Sequence, residues 1–147
     1  MTSVSPTEPK RAATMVAGRR LSFLDFGGPG RPLLALHGHF GEGRTFTRLA
    51  RELGGSLRVI ALDQRGHGYS DRPAGFSRAG YVEDAATVLE RLGIDDAVVL
   101  GHSLGGVNAY QLAARHPGLA HPRQPQHGPR RRAREGHGCT APPCPAR

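Results

Sequence analysis

The sequence predicts an α/β domain, a mostly parallel sheet with flanking helices, followed by a basic tail. Two observations carry this. Residues 33–36, 59–62 and 97–100 are short apolar runs without alternation, as in strands covered on both faces. Between and after them lie segments whose apolar residues recur at helical spacing. Strands alternating with helices connect through right-handed crossovers, which leaves neighbouring strands parallel.

The elements follow in order. Residues 1–14 are polar, with Pro6 and Pro9, and read as a disordered leader; residues 15–120 form the domain. Residues 21–26 alternate loosely and stop at Gly27-Gly28-Pro29-Gly30, which predicts an early antiparallel strand. The strand at 33–36 ends in His37-Gly38. A helix over 44–53 places Phe46, Leu49, Ala50 and Leu53 on one face and closes at Gly54-Gly55. The strand at 57–62 runs into a glycine-containing loop, 63–70. A helix over 79–92 sets Tyr81, Ala85, Val88, Leu89 and Leu92 at helical spacing. The strand at 97–100 precedes the helix from Leu104 to about residue 115, with Leu104, Val107, Ala109, Leu112, Ala113 and Ala114 apolar.

Residues 121–147 hold six prolines and no Val, Ile, Leu, Met, Phe, Tyr or Trp. Such a segment cannot bury enough apolar surface to offset its ordering entropy, so it is expected to be disordered and to add no strand or helix. Of the net charge of +8, residues 1–120 carry +3 and the tail carries +5, from six arginines and Glu135. Without interleaved aromatic side chains to stack on bases, the tail reads as a solvated extension and no nucleic-acid partner is expected. Cys139 and Cys144 match no common zinc spacing, so neither a metal nor a cofactor is expected. No apolar run suits a signal peptide or a membrane span, and no cysteine precedes the tail; a cytoplasmic protein without membrane contact is the expectation.

The chemistry concentrates in Gly101-His102-Ser103-Leu104-Gly105-Gly106, between the strand at 97–100 and the following helix. A Gly-x-Ser-x-Gly turn in that context lifts a serine hydroxyl above the sheet, and Gly101 and Gly105 keep side chains out of a tight corner. The competing reading takes Gly38-x4-Gly43-Arg44-Thr45 as a phosphate-cradling loop, with Asp63 ending the next strand as a magnesium-type carboxylate. Arg44 stands there in place of the usual lysine.

Three segments, each just after an expected strand, are Leu-His-Gly-His-Phe-Gly at 36–41, Asp-Gln-Arg-Gly-His-Gly-Tyr-Ser at 63–70 and Gly-His-Ser-Leu-Gly-Gly at 101–106. In these the sequence resembles the α/β-hydrolase fold family, over residues from about 20 to 120. The resemblance implies Ser103 as nucleophile. It also implies an oxyanion hole from the backbone N–H groups of Leu104 and His39, with Phe40 beside it. A serine at this corner points away from the dehalogenase and epoxide-hydrolase branches and toward a small-molecule acyl substrate: an ester, lactone or amide. His37, His67 and His102 are expected to pack or bond locally instead of serving as the base.

A serine nucleophile needs a histidine, oriented by an acid, to take its proton. In the family these follow the serine, on loops after later strands. Beyond Ser103 only Glu135 is acidic, with His137 two residues on in a proline-rich stretch, so the triad is expected to be incomplete. The expectation is a departure from the family near residues 116–121, as a shifted reading frame or a truncated gene produces. A catalytically inactive fragment is the alternative, and an exposed edge on the 97–100 strand is part of it.

Overall fold

Lys10–Val16 (β1) and Arg19–Asp25 (β2) form an antiparallel hairpin in which Lys10 pairs with Asp25 and Val16 with Arg19. Ala17 and Gly18 turn the chain with φ of 48° and 76°, as a two-residue type I′ turn requires. The computed structural model describes residues 8–122. The leader expected over residues 1–14 is therefore corrected, since the chain is already a strand at Lys10. Most of β1 faces solvent and only Val16 is buried, so no apolar alternation announces it.

Arg31–Leu36 (β3), Leu57–Leu62 (β4), Ala97–Gly101 (β5) and Ala120–Pro122 (β6) complete a six-stranded sheet of order β1-β2-β4-β3-β5-β6. β2 meets β4 antiparallel; the pairs β3–β4, β3–β5 and β5–β6 are parallel. The expectation of no strand after residue 120 is corrected by β6, which includes His121 and Pro122. Its backbone pairs with β5, and Ala120 is buried while His121 is exposed, so composition carries no sign of it. The pairing covers Ala97, Val98 and Val99, and Leu100 beyond it is 38% exposed. Residues 123–147, including Glu135, His137, Cys139 and Cys144, lie outside the described residues.

A 3-10 turn, Gly43–Phe46, leads into Thr47–Leu53 (α1), where the sequence predicts one helix over 44–53. The first turn tightens because Gly43 is pinned: its N–H donates to Asp63 Oδ1 at 2.7 Å, and a Cβ there would lie 2.6 Å from the Ala61 carbonyl oxygen. Arg78–Arg91 (α2) begins at Ser77, whose Oγ accepts the Gly80 N–H at 3.0 Å. Leu104–Arg115 (α3) follows β5 directly.

Strand alternation divides the core. Leu34, Leu36, Ile60, Leu62 and Val99 pack with Val82, Val88, Leu89, Ala109 and Leu112 of α2 and α3. Leu33, Ala35, Val59, Ala61 and Val98 pack with Phe46 and Ala50 on the other face. Within α3, Val107 is 45% exposed, while the polar Asn108 beside it is fully buried.

Candidate active site

The three motif loops meet because β3, β4 and β5 run parallel and end on the same side of the sheet. The chain passes from β3 to β4 on one flank, then returns to place β5 on the other. The crevice outside the strand ends at such a switch point is where α/β sheets bind ligands. The loop after β3 also touches the corner after β5. The His102 N–H donates to the Leu36 carbonyl at 3.0 Å, and a Cβ on Gly38 would stand 2.9 Å from His102 Nδ1.

At the corner Ser103 adopts φ 51°, ψ −116°, a left-handed geometry that a non-glycine residue holds only when its surroundings enforce it. Gly101 and Gly105 permit the close approach at this corner. A Cβ on Gly101 would come within 2.1 Å of the Gly105 carbonyl oxygen, and one on Gly105 within 2.0 Å of the Leu36 carbonyl oxygen. Ser103 is exposed, caps α3 through its backbone and makes no side-chain cap bond. His39 and Phe40 are exposed, Phe40 at 99%, and Leu104 is half-buried. Among the described residues the amides of His39, Phe40 and Leu104 donate to no protein acceptor.

Beneath these loops runs a polar relay that sequence reading missed. Arg78 Nη1 donates to Asn108 Oδ1, and Asn108 Nδ2 donates to Gln64 Oε1, both at 2.6 Å. Gln64 Nε2 donates to the His37 carbonyl at 2.7 Å, and its backbone N–H donates to His37 Nε2 at 3.0 Å. With Nε2 accepting, the ring carries its proton on Nδ1, 2.7 Å from the Gly38 carbonyl oxygen. Burial pushes the His37 imidazole below its ordinary range, although the Gly38 carbonyl pulls the other way. The one signal available was a polar residue, Asn108, within an apolar helix.

Three further histidine rings are engaged, while His39 and His102 are exposed and pair with no carboxylate among the described residues. His67 has Nδ1 2.9 Å from the Arg65 carbonyl oxygen and Nε2 2.5 Å from that of His39. His116 pairs with Glu83 at 3.2 Å and His121 with Asp96 at 3.3 Å. Both pairs lie away from the serine, one past the far end of α3 and the other beside the start of β5. The 12-residue α3 alone separates its ends by about 18 Å.

The phosphate-loop reading fails on geometry. The Gly43 N–H is taken by Asp63, and the Thr45 Oγ1 accepts the Glu42 N–H at 3.4 Å. The Asp63 carboxylate is fully buried and also accepts from Arg11 Nη1 at 2.8 Å and the Tyr69 N–H at 3.1 Å. Asp63 is thus a buried anchor for two loops and the hairpin. Among the described residues no cluster of three His, Cys, Asp or Glu stands in metal-binding proximity. No helix among them is long and apolar enough to cross a membrane.

Strand order, a serine on a left-handed corner and three loops gathered at the switch point define an α/β-hydrolase type of architecture. The chain belongs to that family: the model of the alpha/beta hydrolase fold matches residues 31–121. Among its relatives, 2-(acetamidomethylene)succinate hydrolase of Mesorhizobium japonicum is 38% identical over 93 residues, 63% of this chain and 34% of the relative. The 2-hydroxymuconate semialdehyde hydrolase of Pseudomonas sp. strain CF600 is 42% identical over 109 residues, 70% of this chain and 38% of the relative. The crystal structure of an E-2-(acetamidomethylene)succinate hydrolase superposes with a TM-score of 0.72 at 32% identity, covering 77% of this chain and 42% of that one. The chain thus spans little more than a third of the length of these curated relatives.

Proposed function

We propose that this chain carries the nucleophile half of a serine-type acyl-hydrolase site. Ser103 is the attacking group, and the amides of Leu104 and His39, with Phe40 beside them, receive the developing oxyanion. The observation that carries this reading is the exposed hydroxyl on a positive-φ corner, with unengaged amides on the two loops that touch there. Aimed backbone donors stabilise an alkoxide without side-chain chemistry, and losing one typically costs about 10²–10³ in rate. The N-terminus of α3 adds partial positive charge at the same place.

The proton-handling pair is assigned to no residue of this chain, and among the described residues no histidine paired with a carboxylate stands at Ser103. His37 and His67 have both ring nitrogens engaged, and the two His–carboxylate pairs lie at the wrong end of their elements. The substrate class is a small acyl compound, in keeping with the hydrolases among the relatives. Without the pair, the hydroxyl is a weak nucleophile.

A fluorophosphonate probe on the full chain tests this. Slow labelling at Ser103 is expected, with ester hydrolysis near the Ser103→Ala background. Labelling at another serine overturns the nucleophile assignment. Robust turnover abolished by Ser103→Ala overturns the assignment of the proton-handling pair and directs the search to residues 123–147.

A further inference from the structure

His67 has no part in the proton transfer proposed above, yet it sits in contact with the loop that supplies the amides. Its Nε2 faces the carbonyl oxygen of His39 and its Nδ1 that of Arg65, at 2.5 and 2.9 Å. A carbonyl only accepts, so the hydrogen bond to the His39 oxygen needs the proton on His67 Nε2. The His39 carbonyl belongs to the same planar trans peptide unit as the Phe40 N–H, and the two point in opposite directions. Whatever holds that oxygen therefore sets where the Phe40 N–H points. A donor on the oxygen also polarises the peptide and makes the opposite N–H a better donor.

We infer that His67 is a positioning residue which, through its Nε2–H, clamps the His39–Phe40 peptide and aims the Phe40 amide into the site. The inference rests on the proposed oxyanion role of this loop. The titratable groups around His67 are His37, with ring centroids 4.9 Å apart, and His39 at 5.8 Å. Glu42 lies on the same loop as these two. Asp63 lies under the turn at Gly68, where a Cβ would meet its carboxylate, and is held by Arg11. His37 is the neutral Nδ1–H tautomer, fixed by Gln64.

The test is NMR of the isotopically labelled full chain at one pH. A proton on His67 Nε2 that is protected from exchange is expected, with a single sharp Phe40 amide signal. In His67→Ala the Phe40 amide is expected to shift and broaden. In His67→Gln, whose side-chain amide keeps a donor, the sharp Phe40 signal is expected to return. A Phe40 amide as sharp in His67→Ala as in the parent chain overturns the inference, as does a His67 whose Nε2 carries no proton. The fluorophosphonate adduct of Ser103 separates the two readings. If Phe40 follows His67 but is unmoved by the adduct, the clamp stands and the part of Phe40 in the oxyanion site falls.

Discussion

At Gly105 an added methyl group meets backbone, and backbone has nowhere to move. The Leu36 carbonyl that a Cβ would strike lies within the central parallel strand, already paired on both sides. Gly105→Ala is therefore expected to cost about 3 kcal/mol or more in chemical denaturation, at the upper end of overpacking effects. Gly75→Ala, where a Cβ meets nothing within 4 Å, is the control and is expected to be near neutral. The glycines of the corner are readable in the sequence because their reason is local geometry. Gln64 and Asn108 are not, because nothing near either residue in the chain shows that the two amides bond across 44 positions.

Between elements, the loop after β4 is tied to α2 by a buried fork: Arg65 Nε and Nη2 donate to the two Asp84 oxygens at 2.7 and 2.9 Å. Gly80 makes room for it, since a Cβ there would lie 2.3 Å from Arg65 Nη1. Removing one partner strands a buried charge, so Asp84→Ala is expected to destabilise by about 3–5 kcal/mol in the same assay. Asp84→Leu paired with Arg65→Met is expected to recover much of that loss. The sequence placed α2 and α3 well, because apolar periodicity is strong over 12 to 14 residues. It placed β1 and β6 poorly. An edge strand gains its stability from backbone pairing, which leaves no apolar pattern to read.

For the whole molecule, acid is the destabilising direction. Burial alone would raise the Asp25 carboxyl, but the Arg58 hydrogen bond, the Gly27 amide and nearby positive charge outweigh it and hold it below the ordinary 3.8. Its contribution is present above that value and is lost as pH falls through the lowered one. His37 is held below 6.5, so its contribution is full above 6.5 and declines as pH falls below it, because the unfolded chain then binds the proton more readily. Ring-nitrogen NMR is expected to give His37 a midpoint under 6.5 with Nδ1 protonated above it. A midpoint at or above that value would contradict the buried, Gln64-bonded geometry.

Apolar runs, helical spacing and the glycines around Ser103 sufficed to read the parallel α/β core and the serine corner, because each is decided by residues close together in the chain. Strand order, the hairpin on the outer edge and the relay from Arg78 through Asn108 and Gln64 to His37 became visible only in three dimensions. The relay joins residues 30, 44 and 27 positions apart, and the burial of its polar groups follows from how α2, α3 and the strand ends stack.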